Sequence, residues 1–328
     1  MKAVYVRAFG PPGVALLEEV EPPVVGPGDV LIEVKAVAAN YVDTLVLEGK
    51  YQFLPELPFV PGKGPVGIVA QLGNAVTGLA VGDRVLAMCE HGGYAQFAKA
   101  DQSQCYRLPD ALSFEGVASM SLAFDTAWMA LMERGRLRAG ETVLVLGATG
   151  AVGNAAVQIA KAKGARVIAS VSSREKAGAV LDAGADGIVD LSADNLHDTL
   201  REQVQAANEG RYADVVIDAL GGDVFDAAIR AIAWRGRIVI VGFASGRIAT
   251  LKTNYLLLKN IEASGLQISD YRKRMPDLMR ECFEDIFQMC AAGKVRPAPF
   301  ATFPLGDYQR ALDALKDRSA SQRAVLVP

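Results

Sequence analysis

Histidine is almost absent from this chain: His91 and His197 are the only two in 328 residues. With imidazole so scarce, the commonest metal ligand and general base is missing from most of the sequence, and both residues are expected in loop or surface positions. Cysteine is also sparse. Cys89, Cys105, Cys282 and Cys290 are scattered and form no C-x-x-C pair, which excludes a disulfide framework and leaves them as small apolar residues. Neither sign of charge dominates. With 34 Lys and Arg against 37 Asp and Glu, the net charge is -3 and the pI about 5.6, so neither nucleic acid nor an anionic membrane is expected as the main partner. Basic and aromatic residues are not interleaved, a further argument against RNA. No apolar run approaches membrane-spanning length, and MKAVYVRAFGPPG has neither the apolar run nor the cleavage site of a secretory signal. A soluble cytoplasmic protein is the expectation. No internal repeat or low-complexity tract is present.

What is present is enough apolar residue, 51%, to bury one large core or two linked ones, and the length favours two. As far as about Asp110 the pattern is of short strands, AVYVRA, DVLIEVKAVA, PVGIVAQLG and DRVLAM, punctuated by clusters such as EPPVVGPGD and LPFVPGKG. An apolar helix through SLAFDTAWMALMERG follows. Strands TVLVLG, ARVIASV, DGIVDL, DVVIDAL and GRIVIVG then alternate with helices beginning near Val152, Arg174, Asn195 and Asp223. Continuous Val/Ile/Leu strands between helices predict a parallel sheet covered on both faces. The fold class is therefore α/β, a doubly wound sheet beside a β-rich domain. The ending, a helix in PDLMRECFEDIFQMCAAGK and a last strand AVLVP, matches neither rhythm alone.

The stretch VLVLGATGAVGNAAVQIAKAKGARVIASVSSREK places Gly147, Gly150 and Gly153 between a strand and a helix that starts at Ala151 and Val152. Amides at such a helix start face an anion, and the helix dipole favours it. The spacing is G-x-x-G-x-x-G rather than G-x-G-x-x-G, and a tight strand-to-helix turn alone would also require glycine. Its position inside a βαβ unit favours a dinucleotide. At the end of the second strand an acidic residue would grip the adenosine ribose and select NAD. Here the sequence reads SVSSREK: Ser172 and Ser173 offer small donors, and Arg174 and Lys176 offer charge for a 2′-phosphate. NADPH is the expected cofactor. The alternative is that both cations are ordinary charges on a solvated turn.

Along nearly its full length the chain resembles a zinc-free medium-chain dehydrogenase/reductase, of the quinone oxidoreductase or zeta-crystallin-like branch. NYVDT, LPFVPG, VTGLAVGDRV, GGYAQFA, LRAGETVLVLGATGAVGNAAVQIAKAKGARVIA, EKAGAVLDAGAD and the closing VLVP carry the resemblance. It implies a GroES-like catalytic domain built from both ends of the chain, residues 1–122 and 266–328, with a Rossmann NADPH-binding domain, residues 123–265, inserted between them. The resemblance also implies that no metal is bound. Where zinc-dependent relatives carry a metal-binding Cys and a His-Glu pair, this chain has Asn40, three residues before Asp43, and Lys63-Gly64 after Gly62.

For hydride transfer to a conjugated acceptor, the resemblance places Asn40, Tyr41 and Tyr51 near the mouth of the cleft with Asp43 beside them. Asn40 and Tyr51 are candidate donors to the acceptor oxygen, Tyr41 is a donor or a packing residue, and Asp43 fixes the loop. Thr126 is implied near the nicotinamide, and Gly242, Phe243 and Ser245 in VGFASG at the ligand edge of the sheet. Three departures bear on this carry-over: Lys63-Gly64-Pro65 stands where relatives have a glutamate after the glycine, Leu191 replaces a tyrosine, and Gln322-Arg323 replaces a Gly-Lys. Arg323 keeps the charge and is a candidate for cofactor or acceptor. The implied activity is NADPH-dependent reduction of quinones. A rival is reduction of α,β-unsaturated carbonyls or enoyl thioesters, for which Lys63, Arg272, Lys273 and Arg274 are the suggestive basic cluster. A third reading is a non-catalytic, crystallin-like NADPH-binding protein. A homodimer is expected through the strand IEASGLQI, Ile261 to Ile268.

Overall fold

The computed structural model describes residues 1–315 and 322–328. The chain divides into two compact units: Met1–Leu122 with Arg272–Phe283 and Pro297–Pro328, and Ala123–Tyr271 with Glu284–Arg296.

The first unit begins with β1 (Lys2–Tyr5), β2 (Leu16–Glu19), β3 (Asp29–Ala38), β4 (Val66–Leu72), β5 (Arg84–Ala87), β6 (Phe97–Asp101) and β7 (Cys105–Arg107). β3, the run DVLIEVKAVA, is its axis and pairs antiparallel with both β4 and β6. Gly67 lets β4 come this close, since a Cβ there would lie 2.0 Å from the Glu33 carbonyl oxygen. β5 and β7 extend the sheet antiparallel beyond β4. Val4, Val34, Val37, Leu47, Phe59 and Tyr94 pack one core, while Val30, Ile32, Val69, Val85, Cys89 and Cys105 pack another.

The second unit holds β8 (Thr142–Leu146), β9 (Arg166–Val171), β10 (Gly187–Asp190), β11 (Ala213–Asp218), β12 (Ile232–Ile240) and β13 (Glu262–Gly265). They form one parallel sheet in the order β10-β9-β8-β11-β12-β13. Every residue of β8 is buried, as expected of a strand covered on both faces. The ending of the chain supplies β14 (Phe300–Pro304) and β15 (Arg323–Val327). β15 pairs antiparallel with β3 and parallel with β14, so the last strand belongs to the first unit's sheet.

One element differs from the sequence reading. The apolar run Ser121–Gly135 is broken at its start: a helix Phe114–Met120 ends at Ser121, Leu122 takes φ 62°, and a new helix Ala123–Trp128 runs into a wider-wound turn, Met129–Arg134. The hydroxyls of Ser119 and Ser121 donate back to the carbonyls of Gly116 and Ala118, a local bond that competes with helix continuation. Among the described residues no helix is long and apolar enough to cross a membrane.

Candidate active site

In the second unit the strand order reverses between β8 and β11, which makes their shared carboxyl edge the crevice where open α/β sheets take ligands. Leu146, Asp218 and Ile240 are level across β8, β11 and β12, so the loops after these strands meet. Gly147 turns the chain at φ 73°, and its N–H donates to the Ser170 hydroxyl at 2.8 Å. Gly150 precedes the helix Ala151–Ala162 without a side-chain cap, leaving first-turn amides for an anion. Gly153 is required by packing: a Cβ there would lie 2.1 Å from the Gly147 carbonyl oxygen.

The neighbouring loop is stitched alongside. Asp218 Oδ1 accepts the N–H groups of Leu220 and Gly221, both at 2.9 Å, and burial raises its pKa. Ala244 and Ser245 donate their N–H groups to Ala219 and Leu220, which holds Gly242, Phe243 and Ser245 at this edge. Ser172 and Ser173 follow β9 at the same edge, and Arg174 to Lys176 form one short turn. The Arg174 side chain is 85% exposed and its Nε stands 3.4 Å from Asp190 Oδ2. Thr126 is half-buried, its N–H held by Asp125 Oδ1 at 2.7 Å, on a helix packed against Ala151–Ala162.

The first unit holds a second polar centre. Asn40 precedes the helix Tyr41–Leu47, and Asp43 Oδ2 accepts the Asn40 N–H at 2.8 Å. Asp43 thus fixes the helix start. Asn40 donates through Nδ2 to the Ala38 carbonyl at 3.1 Å and accepts from Arg323 Nη2 at 2.7 Å. Asp43 Oδ2 also accepts the hydroxyl of buried Tyr94 at 3.0 Å. Burial pushes the Asp43 carboxyl up to about 6 against the opposing pull of these donors and of Lys63. Burial and Asp43 raise Tyr94, and burial lowers Arg323. Lys63 is itself buried and paired with Glu90, which Arg272 Nη1 approaches at 3.6 Å. The Lys63 ammonium lies 5.3 Å from the centre of the half-buried Tyr51 ring. Tyr41 is 68% exposed.

The structure thus gathers Asn40, Asp43, Tyr51 and Arg323 around partners that sequence reasoning did not identify: Glu90, Tyr94 and Arg272, with Lys63 noticed only as a departure. GGYAQFA contains Tyr94, but nothing in that motif signals an aspartate 51 residues earlier. Lys63 and Arg272 do not line an exposed basic groove; both are buried around one carboxylate, and of the YRKR run Lys273 and Arg274 are exposed.

Family models match both parts of the chain: an alcohol dehydrogenase GroES-like domain over residues 26–111 and a zinc-binding dehydrogenase over residues 151–284. A quinone oxidoreductase-like protein 2 homolog from Nematostella vectensis is 37% identical over 304 residues, 92% of this chain and 82% of that protein. The chain belongs to the quinone oxidoreductase branch of the medium-chain dehydrogenase/reductase superfamily. Members of this branch are oxidoreductases. A mycobacterial quinone oxidoreductase structure, 31% identical, superposes with a TM-score of 0.92 over 100% of both chains. The Escherichia coli quinone oxidoreductase, solved with NADPH, is 27% identical and gives 0.88, again over 100% of both.

The name of the second matching model raises the question of zinc. Among the described residues no group of three or more His, Cys, Asp or Glu side chains could hold a metal ion. Asn40 is committed to Ala38 and Arg323, Lys63 presents an ammonium, and burial pushes the Cys89 thiol up to about 12. This donor set does not fit zinc. A dinucleotide does fit the edge of the second unit, where the uncapped helix start, the glycine turn and the cations after β9 lie together.

Proposed function

We propose that this chain is an NADPH-dependent, zinc-independent reductase of quinones. The observation that carries the reading is the chemistry of the first unit's polar centre, which offers amide, phenol and ammonium donors where a metal site would need thiolate, imidazole or carboxylate ligands. NADPH in the Escherichia coli relative supports the cofactor, as do Ser172, Ser173, Arg174 and Lys176 after β9, with Arg174 facing solvent. When bound, NADPH would supply hydride to an acceptor held against its nicotinamide. The residues for the dinucleotide are Gly147, Gly150 to Gly153, Ser172 to Arg174, Lys176, Thr126, and Gly242, Phe243 and Ser245. For the acceptor, Tyr51 offers a hydroxyl, Asn40 offers its remaining amide N–H, and Asp43 and Arg323 hold Asn40 in place.

Loss of absorbance at 340 nm tests this, with NADPH and NADH each offered to a panel of quinones, alkenals and enoyl-CoA esters. Strong consumption of NADPH with quinones, and little of NADH, is expected. Faster turnover of alkenals would move the assignment to α,β-unsaturated carbonyls. Burial of Lys63 and Arg272 around Glu90 counts against a carrier-phosphate groove and so against the thioester form of that rival. NADPH binding without turnover of any acceptor would support the non-catalytic reading.

The same proposal includes a homodimer and a cytoplasmic location. β13 is an edge strand of the parallel sheet, and Leu257 and Leu258 shortly before it are 78% and 73% exposed, a surface suited to pairing with a second copy. Sedimentation as a monomer at micromolar concentration would reject the dimer. Four free cysteines, three of them buried, suit a reducing compartment.

A further inference from the structure

We propose that Lys63 is a catalytic residue of this site, donating a hydrogen bond from its ammonium to the acceptor's carbonyl oxygen as that oxygen gains negative charge. This rests on the reductase reading above. Lys63 is 4% exposed, and burying an ammonium costs several kcal/mol unless charge and hydrogen bonds compensate. Its backbone is held on both sides. Gly62 and Gly64 have φ 92° and 66°, and a Cβ at Gly62 would strike the Tyr94 ring at 2.2 Å. The side chain is fixed by Glu90, and the Tyr51 ring lies against Nζ. An ammonium carries three N–H donors. One goes to Glu90, and among the described residues no other hydrogen bond or ion pair takes the remaining two.

No neighbour offers the same combination. Asn40 is neutral and held at both ends of its amide. The Tyr94 hydroxyl is spent on Asp43, and the Arg323 guanidinium is turned to Asn40. Tyr51 is neutral. Lys63 therefore combines full charge, unused donors and a fixed position in dry surroundings, which is what stabilising a developing oxyanion requires. In the balanced step, hydride from the reduced nicotinamide carries two electrons to the acceptor, and the displaced electron pair of the conjugated carbonyl moves onto oxygen beside Lys63. A proton from water, directly or by reloading Lys63, completes the hydroquinone and leaves NADP+.

The test compares the unsubstituted protein with Lys63→Met and with Lys63→Met/Glu90→Gln, in which the partner carboxylate is not left orphaned. Glu90→Gln alone keeps the ammonium. NADPH affinity, followed by its fluorescence, monitors folding and cofactor binding. The expected result is a 100-fold or greater loss of kcat/KM for quinone in the double variant (the scale of losing one oxyanion donor), with NADPH affinity within about threefold and with Glu90→Gln within about tenfold of the unsubstituted protein. Quinone turnover by the double variant within about threefold of the unsubstituted protein would overturn the inference and leave the reductase reading intact. Failure of the unsubstituted protein to reduce any acceptor would overturn both.

Discussion

The hydroxyl of Tyr94 donates to Asp43 Oδ2 at 3.0 Å inside the first unit, joining two residues 51 positions apart. The carboxylate it meets is buried and holds its proton up to about pH 6. Between the ordinary aspartate value of 3.8 and about 6, the folded protein keeps a proton that the unfolded chain has released. Asp43 therefore contributes most stability at the acid end, and this contribution falls as pH rises through that window. The stability difference between the unsubstituted protein and Asp43→Asn should drop from pH 4 to pH 7 by at most about 3 kcal/mol. Urea unfolding of both proteins at several pH values measures it, and a pH-independent difference would contradict the linkage.

A methyl group at Gly153 should be far more damaging than one at Gly178. At Gly153 the Cβ would lie 2.1 Å from the Gly147 carbonyl oxygen, whereas nothing stands within 4 Å at Gly178. Gly153→Ala should cost about 3 kcal/mol or more and displace the turn that faces the cofactor. Gly178→Ala, inside the helix Ala177–Asp182, should stabilise by about 0.5 to 1 kcal/mol. Thermal unfolding of the pair gives the comparison, and equal effects would show that the helix Ala151–Ala162 can move away from β8.

Removing the cations after β9 should act on one cofactor only. Arg174→Ala and Lys176→Ala should each weaken NADPH binding about 10- to 100-fold, the range of a charged hydrogen bond. NADH, without a 2′-phosphate, should bind about as before. Parallel fluorescence titrations decide this, and equal losses for the two cofactors would assign both side chains to the fold.

Trp128 anchors the helix Pro276–Ala291 within the second unit through Nε1, which donates to Asp285 Oδ2 at 2.6 Å; Lys163 reaches the same oxygen at 2.6 Å. Trp128→Phe removes one of these partners of a largely covered carboxylate and should destabilise the protein by about 1 to 3 kcal/mol. Restoration of stability by Trp128→Phe/Asp285→Asn would identify the lost donor as the cause.

The alternation of strands and helices between Thr142 and Ile240 was legible in the sequence because a strand covered on both faces must be apolar throughout, and that signal is local. The same holds for β3, read directly from DVLIEVKAVA, and for the turn at Gly147, where a left-handed φ and a close helix approach leave glycine as the residue that fits. The break at Leu122 was not legible, since it depends on serine hydroxyls choosing backbone carbonyls within a run that remains apolar.

Charge was the least legible feature. YRKR reads as a basic surface run, yet Arg272 is buried and shares Glu90 with Lys63 from a distant loop. Asn40, Asp43, Tyr94 and Arg323 likewise come from four separate segments. Residue type and spacing specify which face of an element is apolar, so the sequence alone determined the elements and the family. A buried ion or hydrogen bond is defined by the partner that closure of the sheets brings opposite it, so only the tertiary structure decided which polar side chains form the site.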